Sequence, residues 1–324
     1  MKRVLSGIQP TGKPHLGNYF GAIRQHIEMQ KEYECYYMIA DLHALTTVKD
    51  AETMYQNTIN LTLDYLALGL QPEKTVFFRQ SDVPAHAELC WIFDCITHIG
   101  FLERAHAWKD AQAKGKKEIS MGLFNYPILQ AADIMLYKPA LVPVGQDQKQ
   151  HVEMTRDLAE KFNQTFGEVF PMPDAFIKEE VAIVPGTDGE KMSKSYGNII
   201  EMFAEEAVLK KQVMNIITDS TALEDPKDPD TCNVYKLYCL LATKAEQQDL
   251  AGKYRAGGFG YGDAKKTLLA KILEYFGEAR AKRAELSQNT DYLHSVLIDG
   301  AKRANSLASQ TLAEVKEKIG YKKL

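Results

Sequence analysis

The sequence has few cysteines, no secretory leader and no long apolar run. Five cysteines occur in 324 residues, and none forms a CxxC pair, so neither a disulfide framework nor a metal site is predicted. The N-terminus lacks the apolar segment and the small-residue cleavage site of a secreted protein. No apolar run approaches the roughly 18 residues that a membrane span needs. We therefore expect a cytoplasmic protein with reduced thiols, no membrane contact and no protein-bound metal.

The composition is that of an ordinary globular protein, with 45% hydrophobic and 25% charged residues. The length allows one large domain or two modest ones. The net charge of -4 argues neither for nor against nucleic acid, because an RNA-binding enzyme needs only a local basic face.

The turn after the first apolar strand is rich in glycine and proline and runs from Leu5 to Asn18. Apolar residues then recur every four positions, which predicts a helix from about Gly17 to Gln30. The N-terminus of a helix attracts phosphate, and Gly17 allows a ligand to approach the backbone. The junction of strand, turn and helix is therefore a candidate nucleotide site.

Strands and helices alternate through the first part of the chain. Glu34–Ala40 and Thr75–Arg79 are near-continuous apolar runs, typical of buried parallel strands, and a helix capped by Asp50 lies between them. This order predicts a Rossmann-like parallel sheet with right-handed crossovers. Ligands bind at the carboxyl ends of such strands, where His43 either faces the nucleotide or only begins a helix.

Residues from about 84 to 137 form a predicted helical insert that carries a carboxylate, Asp133, among apolar residues. A buried, unpaired charge costs several kcal/mol, so Asp133 requires a hydrogen-bond donor from the protein or from a ligand. In the same insert a basic cluster is either a solvated loop or an RNA contact; its members are Lys109, Lys114, Lys116 and Lys117.

Polar residues also follow two later apolar runs. A short strand from Leu141 to Gly145 precedes Asp147, which either accepts ribose hydroxyls or caps the next helix. A loop at 186–198 contains Lys191-Met-Ser-Lys-Ser195, whose two ammonium groups suit a mobile clamp on a triphosphate.

From about residue 203 the pattern is helical. We predict an α/β nucleotide-binding core over 1–202 with a helical insert, followed by an all-helical domain over 203–324.

Two strings match signatures of known enzymes. Pro14-His-Leu-Gly-Asn18 resembles the HIGH motif of class I aminoacyl-tRNA synthetases, with Asn18 in place of the second His, and 191–195 matches KMSKS letter for letter. With Ser6–Gly12, Ala131–Ile134 and Val144–His151, the chain resembles the bacterial tryptophanyl-tRNA synthetases over essentially its whole length.

This resemblance implies a ligase that uses ATP with Mg2+ as cosubstrates. Such an enzyme forms tryptophanyl-adenylate and pyrophosphate from L-tryptophan and ATP, and then transfers tryptophan to the 3′ end of tRNA(Trp). The resemblance also implies that the all-helical domain binds the tRNA anticodon and that the protein is a homodimer.

The resemblance further implies roles for individual residues. Four of them would position the reactants and stabilise charge: His15, Asn18, Lys191 and Lys194. ATP would contact Gln9, Pro10, Thr11, Gly17, Asn18, Gly145, Gln146, Asp147, Val184, Lys191, Met192, Ser193, Lys194 and Ser195. The indole N–H would donate to Asp133, while Tyr126 and Gln148 would orient the polar end of tryptophan. Gln130 stands at the indole pocket, where many members carry Met.

Three alternatives remain open. A tyrosyl-tRNA synthetase is one, because an aspartate accepts equally from a phenol. A small-molecule nucleotidyltransferase shares the HIGH-like turn but has little use for a long helical tail. A non-catalytic nucleotide-binding or RNA-binding module leaves Asp133 and both signatures unexplained, and the absence of ATP turnover would distinguish it.

Overall fold

The structure is a computed structural model that describes residues 1–113, 119–145, 148–176 and 184–321. The strands in this part of the chain are β1 (Arg3–Ile8), β2 (Glu34–Ile39), β3 (Val76–Arg79), β4 (Leu141–Pro143) and β5 (Asp174–Phe176). The helices of its first half are α1 (Leu16–Asn18), α2 (Arg24–Met29), α3 (Asp41–Ala44), α4 (Ala51–Ala67), α5 (Ala85–Ile96), α6 (Ile99–Leu102), α7 (His106–Ala113), α8 (Met121–Tyr137) and α9 (Lys149–Phe166). Those of its second half are α10 (Glu206–Met214), α11 (Asn233–Leu241), α12 (Lys244–Ala256), α13 (Tyr261–Tyr275), α14 (Gly277–Leu286) and α15 (Thr290–Lys318).

The chain divides into two compact units, each built from separate segments. We call them the sheet unit (1–12, 26–179 and 289–324) and the KMSKS unit (13–25 and 180–288). The last helix, α15, belongs to the sheet unit and not with the helices that precede it in the chain. The functional division at residue 202 that the sequence suggests stays a prediction.

The sheet unit contains a five-stranded sheet in the order β3-β2-β1-β4-β5, in which every pairing is parallel. The predicted Rossmann-like core is therefore confirmed. Strand order reverses between β1 and β4, and in open parallel sheets the ligand crevice lies at such a switch point, beyond the carboxyl ends of the strands. The three strands expected at residues 34–40, 75–79 and 141–145 are present, whereas β5 was not predicted.

The core of the sheet unit lies between the sheet and helices α5, α8, α9 and α15. Helix α15 packs closely against β3, and Gly300 makes this possible: a Cβ there would lie 1.8 Å from the carbonyl oxygen of Phe77. The insert predicted over about 84–137 is helical where it is described, and comprises α5, α6, α7 and α8. In the predicted basic cluster, Lys114, Lys116 and Lys117 lie outside the described residues.

The helix predicted from Gly17 to Gln30 is present but not uniform. Helix α1 passes into a π-helical stretch, Tyr19–Ile23, before α2 begins. A π-helical turn holds one more residue than an α-helical turn and is frequent at functional sites.

Helices α10 to α14 belong to the KMSKS unit, together with α1 and the π-helical stretch that follows it. The acidic connection before α11 is organised by Lys227, whose ammonium group donates to the backbone carbonyls of Ala222, Leu223 and Asp225. In the described parts of the chain, no helix combines the length and the apolar composition that a membrane crossing requires.

Candidate active site

Helix α8 places a row of functional side chains on one face. It begins after Ser120, whose side chain caps the N-terminus by accepting a hydrogen bond. Tyr126, Gln130, Asp133 and Tyr137 follow at intervals of four, three and four residues, so they share one side of the helix. Asp133 and Tyr137 are buried, while Tyr126 and Gln130 are partly exposed.

The carboxylate of Asp133 accepts three hydrogen bonds from the protein. Its Oδ1 accepts from Gln80 Nε2 at 2.7 Å and from His86 Nδ1 at 2.6 Å, and its Oδ2 accepts from His43 Nε2 at 2.7 Å. The expectation that Asp133 needs donors is therefore met by protein groups. His43 lies in α3, where it both belongs to a helix and faces this site.

These donors keep Asp133 ionised although it is only 2% exposed. Burial by itself raises the pKa of a carboxyl group, but hydrogen bonds from His43 and His86 outweigh it and lower the pKa of Asp133 to about 2. A carboxylate offers about four acceptor positions, of which the described residues use three. The remaining position, on Oδ2, suits a ligand that donates one hydrogen bond.

A second polar chain joins α8 to the start of α9. The hydroxyl of Tyr126 lies 2.8 Å from His151 Nε2, and His151 Nδ1 lies 3.0 Å from Gln148 Oε1. Since the amide oxygen only accepts, His151 donates from Nδ1 and its Nε2 accepts the Tyr126 proton. A hydroxyl that donates to His151 acts toward other groups as an acceptor, which is the role that an ammonium group requires. The Tyr126 ring also lies edge-on to His43, with centroids 6.3 Å apart.

The carboxyl ends of β1 and β4 carry the other predicted ligand contacts of the sheet unit. Gln9, Pro10 and Thr11 follow β1, and the Thr11 N–H donates to the Gln9 carbonyl at 2.9 Å, which closes a tight turn. Gly145 follows β4, on the other side of the switch point. Gln146 and Asp147, which the resemblance places at the ribose, lie outside the described residues.

In the KMSKS unit, the HIGH-like turn contacts the KMSKS loop directly. The N–H of Gly17 points to the sulfur of Met192 at 3.4 Å, and a Cβ on Gly17 would lie 2.9 Å from the His15 ring. Asn18 Oδ1 accepts from the backbone N–H of His15 at 3.1 Å, which closes the first helical turn. The structure therefore brings together the two signatures, which are far apart in the sequence.

His15 has a neutral ring at neutral pH. Burial, with the positive charge of Lys194 as a second cause, lowers its pKa to about 4. Its Nδ1 is buried and has no hydrogen-bond partner among the described residues. An unsatisfied buried nitrogen is costly, so a ligand atom at this position would remove the cost.

The backbone of the KMSKS loop is held by Asn198. Its Oδ1 accepts from the Ser193 N–H at 2.7 Å, and its amide nitrogen donates to the Lys191 carbonyl at 3.1 Å. The Met192 N–H donates to the carbonyl of buried Val184 at 2.9 Å. The hydroxyls of Ser193 and Ser195 lie 2.8 Å apart. This framework fixes the backbone from which both lysines project.

Sequence reasoning did not single out four residues that organise these clusters: Gln80, His86, His151 and Asn198. Each acts through a neighbour that was predicted, so its own local pattern carries little signal. The shared face of α8 does have a signal in the sequence. Intervals of four, three and four residues place Tyr126, Gln130, Asp133 and Tyr137 on one side of a helix.

Comparison with known proteins agrees with both signatures. Residues 1–277 match the family model described as tRNA synthetases class I (W and Y). The chain is 54% identical over 321 residues to a tryptophan–tRNA ligase of Fusobacterium nucleatum, covering 99% of this chain and 98% of the relative. It is 51% identical over 320 residues to the tryptophan–tRNA ligase of Rhodopirellula baltica, covering 99% and 100%. A crystal structure of tryptophanyl-tRNA synthetase from Campylobacter jejuni, complexed with ADP and tryptophan, superposes with a TM-score of 0.94 at 48% identity, covering 98% of this chain and 99% of that one.

Proposed function

The chain belongs to the class I tRNA synthetases of the tryptophan and tyrosine family, and from that premise we propose that it is a ligase for tryptophan and tRNA(Trp). It activates L-tryptophan with ATP to tryptophanyl-adenylate and pyrophosphate, and then transfers tryptophan to the 3′ end of the tRNA.

The observation that carries the proposal is the ionised, buried Asp133 with one acceptor position left on Oδ2. Indole has one N–H donor and no acceptor, so it satisfies this carboxylate with a single charge-assisted bond. An ionised carboxylate only accepts hydrogen bonds, so a ring without an N–H or O–H donor would make no favourable contact with Asp133. Relatives of this chain at 54% and 51% identity are tryptophan–tRNA ligases.

The polar end of tryptophan has a separate partner in this proposal. Tyr126 donates its proton to His151, so its hydroxyl oxygen accepts from the α-ammonium group. Gln148 contacts the same histidine and lies in the same polar chain. Gln130 lies between Tyr126 and Asp133 on α8, and therefore beside the ring of the substrate. We propose these four residues as the tryptophan contacts.

The first chemical step needs no nucleophile from the protein. The carboxylate of tryptophan attacks the α-phosphorus of ATP, a new P–O bond forms, and the bond to the β-phosphate oxygen breaks as pyrophosphate leaves. Substrate carboxylate and pyrophosphate are competent as nucleophile and leaving group, so catalysis consists of positioning and charge stabilisation. In the second step, a hydroxyl of the terminal ribose attacks the acyl carbon and AMP leaves.

The KMSKS unit supplies the groups that stabilise charge. Lys191 and Lys194 provide two ammonium groups for the phosphates, and we assign Gly17 and Asn18, which lie beside the KMSKS loop, to the same ligand. Neutral His15 donates a ring N–H to phosphate without adding charge. Met192, Ser193, Ser195 and Val184 complete the ATP contacts of this unit. Those of the sheet unit are Gln9, Pro10, Thr11 and Gly145, together with Gln146 and Asp147.

Four further parts of the proposal rest on the family alone. Mg2+ reaches the site on the phosphates of ATP, as is usual for this ion; in the described residues, no group of three or more His, Cys, Asp and Glu residues is arranged to hold a metal. The protein acts as a homodimer in the cytoplasm. Its helices after residue 203 bind the anticodon part of the tRNA.

The test is amino-acid-dependent pyrophosphate exchange, measured with each of the twenty amino acids in the wild type. Tryptophan alone should support rapid exchange. Rapid exchange with tyrosine would identify a tyrosine enzyme, and exchange with no amino acid would favour a nucleotidyltransferase or a binding module; either result contradicts the proposal.

Asp133→Asn and Asp133→Ala test the residue that carries the proposal. Loss of a charge-assisted bond in a water-poor pocket should cost about 2 to 4 kcal/mol of transition-state stabilisation. Asp133→Asn keeps one acceptor oxygen and should lose less than Asp133→Ala. If both folded variants use tryptophan as the wild type does, Asp133 has a structural role only.

A further inference from the structure

The hydrogen bonds of Asp133 continue beyond its carboxylate to a tyrosine that is not a predicted substrate contact. His86 lies on α5 and bridges two residues of α8: its Nδ1 is 2.6 Å from Asp133 Oδ1, and its Nε2 is 2.8 Å from the Tyr137 hydroxyl. His86 and Tyr137 are both 0% exposed. Neither side chain is used by the chemistry described above.

The chemistry of the partners gives this chain a direction. The Asp133 carboxylate only accepts, so His86 Nδ1 carries the proton and donates. In the tautomer that carries its proton on Nδ1, Nε2 accepts from the Tyr137 hydroxyl. Burial raises the pKa of Tyr137 well above its usual value, so the hydroxyl retains its proton for this bond. Tyr137 thereby selects the tautomer of His86 that donates to Asp133.

The second donor on Oδ1 is equally constrained. The oxygen of the Gln80 side chain accepts from the backbone N–H of Leu42 at 3.2 Å, so its amide nitrogen must face Asp133. Oδ1 is then fully used by Gln80 and His86, while Oδ2 accepts from His43 alone among the residues that the structure describes. The χ2 torsion of an aspartate is broad and roughly two-fold, so without such donors the two oxygens exchange places readily.

We propose that His86, backed by Tyr137, is a positioning residue that sets selectivity for the indole N–H by holding Asp133 with only Oδ2 available to the ligand. This inference rests on the proposed function and adds to it the residues that orient the acceptor. Without the His86 donor, Oδ1 gains a free lone pair and the carboxylate no longer has one fixed orientation toward the ring.

The experiment compares tryptophan with β-(3-benzothienyl)alanine, in which sulfur replaces the N–H. The selectivity ratio is the inhibition constant of the analogue divided by the KM for tryptophan in pyrophosphate exchange. This ratio reports the N–H contact alone. His86→Leu should raise the KM for tryptophan about 10- to 100-fold and leave the inhibition constant of the analogue within about threefold. The KM for ATP should stay unchanged.

Two further variants separate positioning from simple support of the fold. His86→Asn retains an N–H near the place of Nδ1 and should recover most of the selectivity ratio. Tyr137→Phe leaves His86 without its proton donor and should lower the ratio about 3- to 10-fold. Tyr65→Phe is the matched control, because it breaks another buried Tyr–His bond, to His26 at 2.8 Å, and should leave the ratio unchanged.

Several outcomes would overturn the proposal. An equal loss for tryptophan and the analogue in His86→Leu would assign His86 a purely structural role. The proposal is also overturned if His86→Asn does not recover the selectivity ratio, or if Tyr137→Phe leaves that ratio unchanged. These two variants test the proposal if His86→Leu does not fold. Failure of the proposed function appears differently, as wild-type protein that gives no exchange with tryptophan.

Discussion

At the scale of single residues, buried histidines link the stability of the protein to pH. His26 is 3% exposed, lies stacked on Tyr37 with ring centroids 4.5 Å apart, and has Nδ1 2.8 Å from the Tyr65 hydroxyl. Burial lowers the pKa of His26 to about 4 and raises that of Tyr65, so the phenol donates to a neutral ring. The pair is stable as long as the ring carries one proton only.

We expect the free energy of unfolding to fall as the pH decreases from about 6.5 to about 4. In this window the unfolded chain binds a proton at His26 and the folded chain does not, so acid favours unfolding; a pKa lowered from 6.5 to about 4 corresponds to about 3 kcal/mol. Urea unfolding of wild type and of the double variant His26→Phe/Tyr65→Phe at several pH values measures this. If the free energy of unfolding of the double variant depends on pH as steeply as that of the wild type, His26 is not the cause. Some pH dependence should remain in the double variant, because the pKa of His15 is also lowered.

Lys194 permits a prediction about the chemical step. Its charge is needed most as pyrophosphate leaves, so Lys194→Ala should slow adenylate formation about 100-fold, roughly 3 kcal/mol, with a smaller loss of ATP affinity. Single-turnover kinetics and ATP titration measure the two effects. Lys210→Ala, at an exposed lysine of α10 in the same unit, is the control and should change neither. Equal losses in binding and rate in Lys194→Ala would remove the transition-state role.

At the scale of elements, the contact of α15 with β3 depends on the absence of one side chain. Gly300→Ala would place a methyl group 1.8 Å from the Phe77 carbonyl oxygen, and backbone on both sides leaves little room to move. We expect a loss of about 3 kcal/mol in the free energy of unfolding. Gly252→Ala, in α12 with nothing within 4 Å of the added Cβ, should instead gain about 0.5 to 1 kcal/mol. Denaturant titration checks both, and equal behaviour of the two variants would contradict the account.

Local patterns predicted most of the strands of the sheet, but not the elements whose conformation depends on tertiary contacts. Continuous apolar runs identified β2 and β3, because both faces of these strands are buried. Strand β5 has only three residues and begins with an exposed Asp174, so it carries no such run. The π-helical stretch after α1 could not be predicted, because its apolar residues have the same spacing as those of an α-helix with one apolar face.

The same limit applies to the candidate site. Asp133 was identified because a carboxylate on an apolar helix demands partners, and this is a local signal. Its partners His43, Gln80 and His86 come from three other elements, and only the fold brings them together. The contact of Gly17 with Met192 spans 175 positions in the chain, so no local pattern predicts it, although the resemblance implies that both residues contact ATP.

At the scale of the whole molecule, the assignment of α15 to the sheet unit separates two predictions about tRNA. Lys236 on α11 and Lys302 on α15 are both exposed lysines after residue 203. If tRNA contacts the helices of the KMSKS unit, Lys236→Glu should raise the KM for tRNA about 3- to 10-fold, less at high salt because salt screens the lost contact, while exchange with tryptophan stays intact. Lys302→Glu should leave both parameters unchanged.

Aminoacylation kinetics at two salt concentrations measure this difference. An effect of Lys302→Glu as large as that of Lys236→Glu would extend the tRNA-binding region to the end of the chain, as the division at residue 202 implies. Loss of exchange in a folded Lys236→Glu variant would instead connect α11 with the chemical step.

The late arrival of α15 also bears on how the protein is made. The strand that it covers, β3, ends at Arg79, yet residues 180–288 of the other unit are synthesised before α15 begins. At roughly 5 to 20 residues per second, their translation takes roughly 5 to 20 seconds. During that interval the apolar surface beside Phe77 is not covered by α15, which gives a chaperone that recognises such surfaces several seconds in which to bind there.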